Sequence, residues 1–481
     1  MAAIGGRVAK TVSALAEAWC VRTGANSVGK ALAVDELSNV WRGLPYRMPT
    51  DDNALANMVS RGLLSAEKAE VVAAGCAPVA LASMRGVLEA FARVQATEIG
   101  ADAARQLYGD GSAEAVMARL VAKRPLMFMN GNDSHLLRDG TSRGWGVPEP
   151  RAEYMDYDEM VYSALIGVSC VTPFINQGGR YNRGIFVGED TWADEVEPLG
   201  VYVGMVGARF EVRGKMEFSY CGLAQDEAVP AAGYGDPSHP EYEASAQLNV
   251  LAAALGVARF PSYDEAVQGA ARGAECGDVA SHPDEALALL PEAVTTAVSR
   301  VLEQVPRFAP LRSSAVLDTL VYARRMAASA LLFLREANAR GAAAGQPAYC
   351  HVVGLGLGVW QVTDFQAQVF VDVFGAVLKA EALEHVGISC AGVGAGEVCG
   401  LGSTRVQFSK RDPAAKLKGE FADHVLVAMY AWDSNAYPGN EYWVGALSAS
   451  GDPAAACCSA IPELQNPDVN PFVEGDNVVW L

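Results

Sequence analysis

The chain lacks any Cys-x-x-Cys pair, any two histidines at metal-binding spacing and any window of eighteen uncharged apolar residues. Each absence removes a class of protein. Without paired cysteines or grouped histidines no zinc knuckle or other metal-ligand set is recognisable, so neither a metal nor a cofactor is expected. The cysteines are scattered, and the adjacent pair Cys457–Cys458 suits neither a short-loop disulfide nor a zinc site. Reduced, mostly buried thiols and a cytoplasmic location are the expectation. The longest apolar run, Met326 to Leu334, is bracketed by Arg325 and Arg335, too short a stretch to span a bilayer. Positive charge is scarce as well. Lysine and arginine number 37 against 56 aspartates and glutamates, a net charge of −19, so neither nucleic acid nor an anionic membrane is an expected partner. The opening "MAAIGGRVAKTVSALAEAWC" reads as an amphipathic helix, with an organelle leader carrying Arg7 and Lys10 as the alternative.

What is present is the composition of a folded α/β protein, 481 residues long with 51% hydrophobic residues. Residues 1–124 show apolar positions at helical spacing in "VSALAEAWCV", "NALANMVSRGLL" and "MRGVLEAFARV", which predicts an all-α N-terminal domain. Residues 125–481 alternate strands and helices. That pattern predicts a second domain with a parallel or mixed sheet flanked by helices, interrupted at 222–300 by an insertion of loops and short helices. "GVYVGMVGARFEVRGKMEFSYC" reads as two strands around a tight turn at Arg213 and Gly214, and Tyr154 to Cys170 as a helix.

Two stretches carry chemistry. In "CHVVGLGLGVWQVTDFQAQVF" a buried strand ends at Val353, and Gly354, Gly356 and Gly358 follow at alternate positions before a helix with a Thr363–Gln366 capping pattern. Glycines let backbone amides approach a ligand, and a loop entering a helix supplies unpaired donors, so Gly354, Leu355, Gly356, Leu357, Gly358, Val359 and Trp360 form a candidate diphosphate seat. The spacing matches neither the dinucleotide fingerprint nor an NTP-hydrolysing loop.

The second stretch is "VLVAMYAWDSNAYPGNEYW", an apolar strand that runs into Asp433, Asn435, Asn440 and Glu441 between two tryptophans. Two carboxyls at the carboxyl end of a strand suit acid/base work at an acetal or the holding of ribose hydroxyls. Asp433 and Glu441 are therefore the leading catalytic candidates, and Asp423, at the start of the same strand, a secondary one that can instead cap it or pair with His424 or Lys418. Asn435 offers a donor to sugar or phosphate. Asn130 and Asn132, where "PLMFMNGNDS" ends a short strand, could bind ribose or cap a turn.

The set "NQGGRYNRG", "VGARFE", "VGLGLGVW" and "WDSNAYPGNEYW" resembles the MavL-type branch of the macrodomain hydrolases, relatives of the poly(ADP-ribose) glycohydrolases. The resemblance implies a macrodomain-like fold and removal of ADP-ribose from arginine side chains of a modified protein partner. It implies the diphosphate on Gly354–Gly358, adenine or ribose near Trp360, Phe210 and Glu211, and the distal ribose facing Asp433 and Glu441. The glycohydrolase signature of consecutive glycines followed by Gln-Glu-Glu is absent; Gly178 and Gly179 with Glu189 and Asp190 only echo it. A single ADP-ribose unit on arginine thus fits better than a polymer, with a non-catalytic ADP-ribose reader and a glycohydrolase-like enzyme as the alternatives.

Overall fold

Apolar runs such as "VLVAMYAW" and "LGVYVGMV" lack polar alternation because they become strands covered on both faces. A computed structural model describes residues 34–50, 52–129, 134–143, 154–276, 281–311, 314–391, 399–401, 404–474 and 477–481. Within them, nine strands form one mixed sheet: β1 (Cys76–Ala80), β2 (Gly167–Pro173), β3 (Leu199–Val206), β4 (Ala348–Val352), β5 (Val386–Ala391), β6 (Cys399–Leu401), β7 (Thr404–Ser409), β8 (Val425–Trp432) and β9 (Val479–Trp480). The order across the sheet is β6–β7–β5–β4–β8–β3–β2–β1–β9. The middle strands β7, β5, β4, β8 and β3 are parallel, and β2 and β1 turn antiparallel. The α/β expectation is met by this sheet with helices on both faces.

Alternation along β2 shows the two faces. Ser169 Oγ donates to Glu336 of the long helix α1 (Thr319–Ala344), while Thr172 Oγ1 accepts from the Ala460 amide on the other side. Helix α1 is buried nearly all round, as a core helix is. Asp318 caps it by accepting from the Val321 amide, and Gly345 ends it in the left-handed conformation. Two of its interior arginines are paired with acids, Arg340 2.6 Å from Glu336 and Arg325 3.1 Å from Glu217, and Arg324 donates to the carbonyls of Leu255 and Gly256. Next to it packs α2 (Gln366–Ala380). There Gln366 Oε1 accepts from the amides of Val362 and Thr363, and Thr363 Oγ1 accepts from Phe365, but the N-cap is Phe365, without a side-chain cap bond, and not Thr363 as the spacing predicts.

Three sequence expectations need correction. The leading segment is not all-α: β1 lies inside it and pairs with β2 and β9. Its "CAPVA" is rich in alanine, which carries a helical signal, but burial between two strands decides its conformation. Only Tyr157–Ser163 of the expected helix 154–170 is helical, and the chain then enters β2. Beyond β3 no second long strand follows. Met216–Ser219 is a 3-10 turn, because Glu217 is drawn into the core as counter-ion to two arginines. In the insertion, helices Ala246–Ala254, Tyr263–Ala271 and Glu292–Val301 accompany a small sheet of Gly222–Ala224, Phe308–Leu311 and Ala315–Asp318. Among the described residues no helix is long and apolar enough to cross a membrane.

Candidate functional site

Parallel strands put their carboxyl ends on one edge of the sheet. Cys350 pairs with Val427, which pairs with Val201, so β4, β8 and β3 finish side by side. The glycine-rich loop leaves β4, the Asp433 turn leaves β8 and Gly207 leaves β3, all at this edge. Contact between them is direct. A Cβ at Gly207 would lie 2.4 Å from the Gly356 nitrogen, so only glycine allows the two backbones to meet there. Gly356 itself has φ +69°, which favours glycine again.

The glycine-rich loop is anchored by its side chains and open along its backbone. Leu355 is fully buried, whereas Val359 is 92% exposed. Among the described residues the backbone amides of Leu355, Gly356, Gly358, Val359 and Trp360 meet no acceptor in the protein. Trp360 Nε1 donates to Glu211 Oε2 at 3.1 Å, tying this loop to the turn after β3. Phe210 is buried against Phe218 and Tyr322 and supports that turn from beneath. Gly354 to Trp360, Phe210 and Glu211 are therefore brought together.

Asp433 sits at the tip of β8, 6% exposed. Its Oδ1 accepts from the Asn435 amide at 3.0 Å and its Oδ2 from the Asn440 amide at 3.3 Å. Burial, with the nearby Glu441 charge second, pushes its pKa up to about 7 against those hydrogen bonds. A third acid, Asp452, opens the helix Asp452–Cys458. Its carboxyl is also buried; burial, then the charges of Glu441 and Asp433, raise its pKa well above the usual carboxylate range. Gly439 presses on it so closely that a Cβ would lie 1.6 Å from Asp452 Oδ2. Glu441, at the start of the short helix Asn440–Trp443, is solvent-exposed. Among the described residues no group of three or more histidines, cysteines or acids has an arrangement able to hold a metal ion.

Asp452 escaped sequence reasoning. The signal was a lone acid in "SGDPAAACC", which reads as a helix start. Beside the carboxyls, Asp452 Oδ2 and Asn435 Nδ2 have no partner among the described residues, and the same holds for Tyr437 Oη and Arg124 Nη2 behind the turn. Unsatisfied groups in a folded core are uncommon, and the first two lie beside a carboxyl whose pKa is raised, which makes them candidate contacts for a ligand.

A web of cations holds the turn from behind. Arg209, fully buried, donates through Nη1 to the Asp433 carbonyl, Ser434 Oγ and Asn435 Oδ1, and is itself fixed by Glu217 at 2.9 Å. Burial alone would raise the Glu217 carboxyl, but Arg209 and Arg325 outweigh it and hold it below its ordinary value. Arg124 donates to the Ser434 carbonyl at 2.5 Å and lies over the stacked rings of Trp432 and Tyr437. Ser434, at φ +64°, is pinned on both sides.

The other candidates divide. Trp432 is a wall of the core, its indole nitrogen donating to the Ala436 carbonyl. Asn440 Oδ1 accepts from the Phe128 amide, so that side chain ties the turn to the strand Met127–Met129. Asp423 stands before the first residue of β8, at the opposite edge of the sheet from Asp433, and acts electrostatically on His424. Asn130 and Asn132 lie outside the described residues.

Comparison with known proteins places this geometry. A family model described as "ADP-ribosylhydrolase MavL-like" matches residues 63–272 and 287–479. The "ADP-ribosylarginine hydrolase CG3568" of Drosophila melanogaster is 32% identical over 79% of this chain and 73% of its own length. A second protein of that organism, "ADP-ribosylarginine hydrolase CG2909", is 31% identical over 78% of this chain and 72% of its own length.

Proposed function

Because the chain belongs to the MavL-like ADP-ribosylhydrolase family and is an ADP-ribosyl hydrolase, we propose that it removes single ADP-ribose units from protein arginine side chains, using the edge where β3, β4 and β8 end. One observation carries the reading. A loop of unpaired amides and a trio of carboxyls lie on the same sheet edge, with the loop packed against Gly207 and the Asp433 turn held by Arg209, two residues on.

In this reading the open amides of Leu355, Gly356, Gly358, Val359 and Trp360 receive the diphosphate, since they offer donors. Trp360 and Glu211 stand where adenine or its ribose would lie. The distal ribose reaches Asp433, Asp452 and Glu441, with Asn435 Nδ2 as a hydroxyl donor. Cleavage passes through an oxocarbenium-like ribose, which a carboxylate stabilises. Water adds its oxygen to the anomeric carbon as the bond to the guanidine nitrogen breaks. The proton released by water passes to a carboxylate and on to the departing guanidine, leaving arginine and free ADP-ribose. Asp433, with a pKa near 7, can carry that proton in either direction at neutral pH. The fold would then be a macrodomain-like variant enlarged by the insertion.

Incubation with arginine-, serine- and glutamate-linked ADP-ribosyl proteins tests the assignment. Release from the arginine conjugate alone is expected. Release from the serine or glutamate conjugate at equal rate, or none from arginine, would refute it.

A further inference from the structure

The loop 175–188, which contains "NQGGRYNRG", takes no part in the chemistry just described. Its architecture is nonetheless specific. Asn182 makes six bonds: its amide and Nδ2 both donate to the Gly179 carbonyl, Nδ2 also donates to the Ala454 carbonyl, Oδ1 accepts from the Gly184 amide and Asn176 Nδ2, and its carbonyl accepts from the Ile185 amide. Asn176 adds a donation to the Ile185 carbonyl. Arg183 is held at φ +53°, a left-handed conformation that a residue with a side chain adopts only where its surroundings impose it. A loop so internally bonded is rigid, and what it displays is fixed.

It displays Arg180, Tyr181, Arg183 and Ile185. Tyr181 is 70% exposed and Ile185 64% exposed, which few large apolar side chains in this protein match. Neither Arg180 nor Arg183 has a carboxylate partner among the described residues, although the chain carries a net charge of −19. Arg183 Nε instead donates to Ser448 Oγ, and Arg180 lies over the Tyr181 ring. The loop also flanks the carboxyl trio. Asn182 reaches Ala454, two residues past Asp452, and Gly184 packs on Thr50, whose hydroxyl bonds Tyr442 beside Glu441.

Resting on the function proposed above, we infer that this loop is a docking surface for the modified protein, and that it recognises acidic residues flanking the ADP-ribosylated arginine. Tyrosine and arginine are the side chains that most often anchor protein interfaces, and rigid presentation lowers the entropy lost on binding. Two guanidiniums without carboxylate partners in an acidic molecule complement carboxylates, and the exposed Tyr181 ring and Ile185 give the apolar parts of the bound peptide a surface. The ADP-ribose moiety then enters the carboxyl trio while the neighbouring peptide lies across residues 180–185.

The test uses the full chain, the double variant R180E/R183E, and three probes: free ADP-ribosyl-arginine, an arginine-ADP-ribosylated peptide with acidic flanks, and the same peptide with basic flanks. With the acidic peptide, kcat/KM of the variant should fall by about tenfold or more, mostly in KM, and raised salt should shrink the gap. With the basic peptide the variant should match or exceed the parent. With free ADP-ribosyl-arginine the two should agree within about twofold. Equal rates on both peptides would overturn the inference. So would an equal loss on free ADP-ribosyl-arginine, which would move the arginines onto the ADP-ribose itself. If the parent hydrolyses none of the three, the proposed function fails. The docking surface is then judged by fluorescence anisotropy of the uncleaved peptides, where the same preference for acidic flanks and its loss in R180E/R183E remain the expected result.

Discussion

Asp433→Asn should abolish turnover and, above neutral pH, make the protein more stable. Folding carries this carboxyl from an ordinary value of 3.8 to about 7. Between those values the folded chain keeps a proton that the unfolded chain has released, so rising pH favours unfolding. The stability this group contributes is complete below about pH 4 and gone above about pH 7. A shift of about 3 units corresponds to roughly 4 kcal/mol across that window. Asparagine has no such dependence, but it has one acceptor where aspartate has two. The Asn435 or Asn440 amide therefore loses its partner, at about 1–3 kcal/mol. The two effects cross. At pH 4 the variant should be less stable than the parent by about 1–3 kcal/mol, and at pH 8 more stable by about the same amount. Urea unfolding of both proteins at pH 4, 6 and 8 measures the difference directly. Arginine-linked release, measured at pH 7, should drop by about 100-fold or more. Stability curves that run parallel from pH 4 to 8 would refute the argument, since a carboxyl that titrates normally in the fold cannot produce a crossing.

Other perturbations probe the same geometry. Gly207→Val places a side chain where the Gly356 backbone lies, so it should erase the thermal shift given by ADP-ribose, about 2.7 kcal/mol of stabilisation at a hundredfold excess over Kd in the parent. Glu217→Gln strips Arg209 and Arg325 of their shared counter-ion and should lower stability by about 3–5 kcal/mol in urea unfolding, with Arg209→Lys milder in stability yet severe in kcat. Trp360→Ala touches only a half-buried ring and should leave unfolding within about 0.5 kcal/mol while raising KM for ADP-ribosyl-arginine severalfold. Asp452→Asn, read by the same release assay, should lower kcat, because it removes a buried carboxyl of the trio, while the pH–rate profile set by Asp433 stays in place.

The glycine-rich loop and the Asp433 turn were legible because each is a local pattern: an apolar run sets the strand, and the residues just beyond it must lie at the strand's end. Parallel topology then brings two distant patterns to one edge, which strand–helix alternation already suggested. Asp452 was not legible. It lies on another helix, and its place in the trio comes from the packing of Gly439 against it, a contact no spacing rule encodes. Glu217 misled for a related reason. In "GKMEFSYC" it reads as the polar position of a strand, and only the buried Arg209 and Arg325 explain why it turns inward. The strand β1 was hidden in alanines whose helical preference is overridden by two flanking strands.

The arrangement of the cations behind the turn separates two kinds of control. Arg124 and Arg209 are both buried and both within reach of the Asp433 turn, yet they bond its carbonyls and the amide oxygen of Asn435, not its carboxyl. Had either guanidinium paired with the Asp433 carboxyl, the opposite charge would have driven its pKa below the usual carboxylate range, as happens to Glu217. An acid so fixed cannot exchange a proton near neutrality. By directing their hydrogen bonds to the backbone, the arginines set the turn's geometry and leave its carboxyl to burial and to Glu441, the two influences that raise it to about 7. Positioning and proton affinity are thereby controlled by different groups, so Arg209→Lys should disturb kcat with little change in the pKa that governs the pH–rate profile, whereas Glu441→Gln should move that pKa down while leaving the turn in place.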